Sequence, residues 1–170
     1  MGEKEPFSGS FSNLEADVHP SFQRRGFGLP SGNAKFEIGK GMVVREGADV
    51  AIIACGLMVS TALKAAEQLA AKGINAKVVD MYCIKPIDAE LIVECAKCGA
   101  IVTAEEHNVI GGLGSAVAEV LAKAGCTVPT EMVGMQDCHG ESGPYAALLK
   151  KYGLDADAVA AAAEKAVSRK

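Results

Sequence analysis

Short apolar segments alternate with helical segments from Lys35 onward, and this alternation restricts the fold more than any other feature. A run of β-branched residues at Asp49–Ala54 is typical of a buried strand, and the segment after it repeats apolar residues at helical spacing. The same order of strand and helix recurs along the chain, which indicates βαβ units and a parallel sheet with helices on both faces. The predicted strands are Met42–Val44, Asp49–Ala54, Ala76–Met81, Ala100–Thr103 and Val128–Val133.

The first predicted strand is separated from the second by a tight turn at Gly47 and Ala48. A turn this short permits only an antiparallel neighbour. We therefore expect a three-layer α/β/α domain with a mostly parallel five-stranded sheet and one antiparallel edge strand. This domain covers residues 35–170. Residues 1–34 are rich in Pro, Gly and Ser, and we expect an extended arm or flexible tail there.

Candidate caps and breakers predict where the helices begin and end. Ser60 or a neighbour is a candidate cap for the first helix, and Asp88 is a good cap for the second. The later helices are predicted at Ser115–Ala124, Tyr145–Lys151 and Ala158–Val167, the last of them capped by Asp155 or Asp157.

Composition excludes several classes of function. The net charge of −4 gives no electrostatic reason to expect nucleic-acid binding. No apolar run approaches the length of about 20 residues that a membrane span needs, and no signal peptide is recognisable, so we expect a cytoplasmic protein. The six cysteines are scattered, which fits reduced thiols. One pair, Cys95 and Cys98, has CxxC spacing without a second pair, so we expect no metal site.

The run from Ala100 to Ala118 carries the first group of candidate site residues. It leads from a strand into a helix, and ligands and partner domains tend to lie at the carboxyl end of such a strand. The candidates are Glu105, Glu106 and His107, followed by Gly111, Gly112 and Gly114. The acid–histidine cluster, expected in a loop, suits either proton transfer or an interface, and we favour the interface. The glycines favour close packing and a tight turn over a nucleotide site, since neither phosphate-binding fingerprint is present.

A second polar loop follows the last predicted strand and can lie near the same edge of the sheet. Its candidate residues are Asp137, His139, Glu141 and Ser142. No nucleophile-elbow motif surrounds Ser142, so we interpret it as a helix cap before Pro144, which is expected in the first turn. We predict no catalytic, cofactor-binding or metal-binding residue on this chain.

Four motifs in register resemble the C-terminal domain of transketolase, over nearly everything from Lys35 to Val167. They are Ala51–Ser60, Val78–Met81 with Ile84–Asp88, the Glu105–Gly114 loop, and Glu141–Leu154. The sequence is similar, less closely, to deoxyxylulose-phosphate synthase and to the β subunit of 2-oxoacid dehydrogenases. Cys138-His139-Gly140 departs from the usual aromatic-Gly and is similar to the synthase branch, so the substrate branch stays open.

The resemblance implies a role within a larger enzyme. That family moves a two-carbon ketol unit between sugar phosphates in the pentose phosphate pathway, using thiamine diphosphate and Mg²⁺. The resemblance implies that the diphosphate-binding and pyrimidine-binding domains hold this cofactor at a dimer interface. The GDG…N metal motif of the family is not found in this sequence. We therefore expect an assembly domain or subunit of a homo-oligomeric enzyme, inactive in isolation. The alternative is an autonomous small-anion-binding or regulatory module.

Overall fold

The structure, a computed structural model, describes residues 36–170, and the predicted arm at residues 1–34 lies outside the described residues. Within the described part, strands and helices alternate as the sequence predicts. They are β1 (Met42–Arg45), β2 (Val50–Ala54), α1 (Met58–Ala70), β3 (Ala76–Asp80), α2 (Ala89–Ala96), β4 (Ile101–Asn108), α3 (Leu113–Ala124), β5 (Thr130–Met135), α4 (Tyr145–Lys151) and α5 (Ala156–Val167).

The strands form a five-stranded sheet in the order β1-β3-β2-β4-β5. The neighbours β3-β2, β2-β4 and β4-β5 are parallel, and β1 is antiparallel to β3 at one edge. Alternate residues of β2 enter two apolar cores, one beneath α1 and α5 and the other beneath α2 and α3. The predicted three-layer fold is thus confirmed. No helix in residues 36–170 is long and apolar enough to cross a bilayer.

The position of β1 corrects one part of the prediction, because β1 pairs with β3 and not with β2. The turn at Gly47 passes beneath the first residues of β3 before the chain enters β2. There the Ala48 and Asp49 amides both donate to the carbonyl of Asn75, at 3.0 and 2.9 Å. A Cβ on Gly47 would lie 2.2 Å from the Ala76 carbonyl carbon, so the crossing requires glycine.

The helix ends confirm some caps and correct others. Asp88 accepts the Leu91 amide at 3.1 Å and Asp155 accepts the Ala158 amide at 2.9 Å, as predicted. The Ser60 cap was wrong, since α1 begins at Met58 and the Ser60 hydroxyl donates instead to the Leu57 carbonyl.

Strand β4 is much longer than predicted, which affects the candidate site. It runs to Asn108 instead of ending at Thr103, and Asn108 still pairs with Met135 of β5. The polar residues at its end are held in the strand by the neighbouring β5, a contact that the local sequence does not reveal.

Candidate functional site

The carboxyl ends of the four parallel strands bring the two predicted groups of polar residues together, as expected. The Tyr145 hydroxyl donates to Oε1 of Glu106 at 3.0 Å, which links α4 to the end of β4. The side-chain amide of Asn108 donates to Oδ1 of Asp137 at 3.2 Å. We call this end of the sheet the carboxyl edge.

Glu105 has a structural position at this edge. Its side chain is fully buried, and its two carboxylate oxygens accept the backbone amides of Leu113 and Gly114 at 2.7 and 2.8 Å. These amides begin α3, where the helix dipole favours a negative charge. The prediction that the acidic cluster lies in a loop was therefore wrong: Glu105, Glu106 and His107 belong to β4, and Glu105 faces inward to cap α3.

The glycine-rich turn accommodates this buried carboxylate. A Cβ on Gly112 would lie 2.1 Å from Oε2 of Glu105, and one on Gly114 would lie 2.8 Å from the Met132 sulfur. Gly111 adopts a positive φ of 78°, and its amide donates to the Ser115 hydroxyl. The expectation of close packing and a tight turn is confirmed. Since Glu105 already occupies the amides that would attract an anion, the geometry gives no support to a free phosphate at this turn.

Glu106 and His107 differ from Glu105 because they reach the surface. Glu106 is partly exposed and bonded to Tyr145, and His107 is exposed. Two exposed apolar side chains lie in the same region, Ile110 at 69% and Tyr145 at 52% exposure. Both lie in runs that the sequence analysis singled out, but neither was among its candidate site residues. An exposed isoleucine next to a strand end was a detectable signal, whereas nothing local indicated that Tyr145 reaches Glu106.

The second polar loop is exposed throughout, from Asp137 to Ala147. Lys151 pairs with Glu141 at 2.6 Å, and the Tyr152 hydroxyl accepts the Glu141 amide at 2.9 Å and donates to the His139 carbonyl. Ser142 does not cap α4 as predicted. The N-cap is Pro144, without a side-chain hydrogen bond, so Pro144 lies before the first turn and not within it.

Asp80 and Cys55 are two buried titratable groups at the carboxyl edge that sequence reasoning missed. Each is 8% exposed. Burial raises the pKa of Asp80 to about 6. Among the described residues, no cation or hydrogen-bond donor contacts this carboxyl group to lower its pKa again. Burial, followed by the charges of Glu105, Asp80 and Glu106, raises the pKa of the Cys55 thiol to about 11. A carboxylate at the end of an otherwise apolar strand was the signal available for Asp80.

The variant Asp80→Asn is expected to raise the free energy of unfolding by roughly 2 kcal/mol at pH 7.5 and to change it little at pH 4. The folded pKa of about 6 lies above the unfolded value of about 3.9, so the folded state holds the proton more tightly. The native chain therefore loses stability as pH rises from about 4 to about 6, whereas the Asp80→Asn variant does not.

Urea unfolding of both proteins at several pH values checks the Asp80 prediction. Asp137→Asn, at an exposed position whose φ of 51° asparagine tolerates, is the control and should differ little from the native chain. If Asp80→Asn raised the free energy of unfolding by the same amount at pH 4 as at pH 7.5, the expected titration of Asp80 would be contradicted.

The cysteine pair Cys95 and Cys98 lies buried at the opposite end of the sheet. Burial raises the pKa of both thiols, that of Cys95 to about 12. In residues 36–170, no three histidine, cysteine or acidic side chains are grouped so as to hold a metal ion.

The fold and its carboxyl edge define a class of protein, an α/β domain with four parallel strands, one antiparallel edge strand and a polar surface at the strand ends. A family model described as the transketolase C-terminal domain matches residues 39–159. The chain belongs to this family.

Individual relatives agree with the family match. The chain is 48% identical over 143 residues to a 6-deoxy-6-sulfo-D-fructose transketolase subunit of Clostridium sp. (strain MSTE9), covering 84% of this chain and 44% of that protein. It is 44% identical over 149 residues to 1-deoxy-D-xylulose-5-phosphate synthase 1 of Geobacter sulfurreducens, and the match covers 85% of this chain and 23% of that protein. A solved structure of a split-gene transketolase, an inactive beta4 tetramer, superposes with a TM-score of 0.76 at 57% identity. The match covers 79% of this chain and 44% of that chain. The chain thus spans less than half the length of each of these relatives.

Proposed function

We propose that this chain is the C-terminal part of a transketolase-type enzyme and serves the assembly of that enzyme instead of carrying its reaction centre. The reaction is the transfer of a two-carbon ketol unit between sugar phosphates. The observation that carries the proposal is the exposed stretch Asp137–Ala147, because it includes the family motif Glu141–Tyr145 and this domain buries none of its residues. Side chains that a domain does not need for its own core are available to a partner.

The chemistry of this surface supports a protein partner. We define the docking surface as Glu106, His107, Ile110 and residues 137–147. It combines exposed apolar side chains with a polar surround, which is the usual composition of a protein interface. The bond between Glu106 and Tyr145 fixes its two segments relative to each other. The proposed partner is the pyrimidine-binding domain of the same enzyme, in a homo-oligomer.

The described residues do not fit the cofactor that the family uses. A diphosphate group needs free amides or a bound metal ion, but Glu105 takes the Leu113 and Gly114 amides and no metal-binding group is present in residues 36–170. We propose, as the family resemblance implies, that the diphosphate-binding and pyrimidine-binding domains hold thiamine diphosphate and Mg²⁺.

Variants in the docking surface are expected to weaken assembly more than chemistry. In the complete enzyme, Glu106→Ala or His107→Ala should weaken association, and Ile110→Asp should raise the dissociation constant for assembly by about tenfold or more, since it places a charge in an apolar contact. Turnover per assembled enzyme at saturating thiamine diphosphate should stay near the native value. Sedimentation across a concentration series, followed by activity assays of the assembled fraction, measures both quantities.

The matched control for these variants is Glu67→Ala, an exposed acidic residue on α1 away from the carboxyl edge. It should alter neither association nor turnover. Unchanged assembly with lost turnover in the Glu106 or His107 variants would contradict the proposal, because it would place these side chains in the chemistry.

A further inference from the structure

Strand β5 lies at one edge of the sheet, and within residues 36–170 no strand pairs with its outer side. The carbonyls of Pro129 and Met135 accept bonds from the β4 side, at 2.9 Å from the Ile101 amide and 3.1 Å from the Val109 amide. Because backbone groups alternate along a strand, the groups of Thr130, Met132 and Gly134 face outward. An edge of this kind is a template for pairing with another strand.

Side chains of this chain cover all three outward carbonyls. The side-chain amide of Gln136 donates to the carbonyls of Met132 and Gly134 at 3.4 and 3.2 Å. The Arg169 guanidinium donates to the carbonyl of Thr130 at 3.3 Å and is held in place by Glu131 at 2.6 Å. Any strand that adds to this edge must first displace these bonds.

The opposite edge of the sheet is protected differently. Strand β1 has only four residues, and its register with β3 shifts between Val43 and Arg45. Short and irregular edges pair poorly with other strands. Strand β5 is longer, with six residues, and the extra residues of its irregular pairing with β4 lie on β4, between Ala104 and Asn108. The β5 edge is therefore the one that needs covering.

An apolar groove lies next to β5, and it favours pairing of β5 with the same strand of a second copy of this chain. The groove has a volume of about 270 Å³, and its lining includes Leu121, Val128 and Met132. In an antiparallel pair of two β5 strands about a two-fold axis, Met132 would face its counterpart and Thr130 would face Gly134. The two grooves would then join into one apolar surface, which adds burial to the new backbone bonds.

We propose that Gln136 and Arg169 cover the β5 edge and so prevent this chain from pairing, strand to strand, with a second copy of itself. The covering bonds are local, whereas pairing would have to break them in both copies. Loss of these bonds is expected to change the pairing equilibrium by about tenfold or more. Neither residue belongs to the docking surface, so this function is separate from assembly of the enzyme.

The test is sedimentation equilibrium of the 170-residue chain and the double variant Gln136→Ala/Arg169→Ala. The double variant should dimerise with a dissociation constant lower than that of the native chain by about tenfold or more. The matched control is Gln68→Ala/Lys165→Ala. It removes an amide bonded to Asp157 at 2.9 Å and a cation bonded to Glu131 at 3.0 Å but uncovers no strand carbonyl, so it should behave as the native chain does. Equal masses for the double variant and the native chain would overturn the proposal.

A third substitution identifies the surface that pairs. The outward amide of Met132 makes no bond to β4, so Met132→Pro in the double variant removes no backbone bond between β4 and β5 while blocking strand addition. This triple variant should return to the mass of the native chain, and a persistent dimer would overturn the proposal. Amide exchange at Thr130, Met132 and Gly134 in the double variant gives a readout that does not depend on the proline. It should slow as concentration rises, and exchange independent of concentration would also overturn the proposal.

Discussion

Replacing Glu105 by alanine is expected to lower the free energy of unfolding by about 3–4 kcal/mol, measured by urea unfolding at pH 7. The carboxylate is fully buried and accepts the Leu113 and Gly114 amides. Its removal leaves both amides buried without an acceptor and opens a cavity beside the glycine turn. Hydrogen bonds to a charged group contribute about 1.5–3 kcal/mol each, and the cost of burying the charge offsets part of their sum.

Two further variants distinguish the loss of the Glu105 hydrogen bonds to α3 from the loss of side-chain volume or of any acidic residue at this end of β4. Glu105→Gln keeps the shape of the side chain but presents an NH₂ group to one of the two amides, so it should lose a smaller but clear part of the stability. Glu106→Ala, at the adjacent and partly exposed acidic residue, should cost less than about 1 kcal/mol. Equal effects at the two neighbours would contradict the assignment of Glu105 as the cap of α3.

Replacing Gly47 by alanine is expected to lower the free energy of unfolding by about 3 kcal/mol or more. The added Cβ would lie 2.2 Å from the Ala76 carbonyl carbon and 2.3 Å from the Lys77 nitrogen, both of them backbone atoms of β3. The crossing segment is also bonded to the Asn75 carbonyl, so it cannot move away without breaking these bonds. Thermal or urea unfolding of the variant measures the loss.

The control for Gly47 is Gly140→Ala, at an exposed glycine where an added Cβ would have no atom within 4 Å beyond its chain neighbours. This variant should unfold within about 0.5 kcal/mol of the native chain. A small effect at Gly47 would mean that β1 and β2 can be connected without this close crossing, and the order of the sheet would then need revision.

The candidate site shows where sequence reasoning reaches its limit. The pattern placed two polar groups at the same edge, and the contacts of Glu106 with Tyr145 and of Asn108 with Asp137 confirm it. The pattern did not show that Glu105 is buried and Glu106 reaches the surface, because two adjacent glutamates have the same local sequence signal. In a strand, neighbouring side chains point to opposite faces, so one of them caps α3 inside the domain and the other reaches the surface.

The class of fold, the family and several helix ends follow from the amino-acid sequence alone. Alternating strands and helices are encoded by local periodicity, and caps such as Asp88 and Asp155 act within a few residues of their own position. Three features follow instead from packing: β3 lies between β1 and β2, β4 extends to Asn108, and Glu105 turns inward. Each of these depends on contacts between residues far apart in the chain, and no local pattern specifies which of the possible neighbours a strand takes.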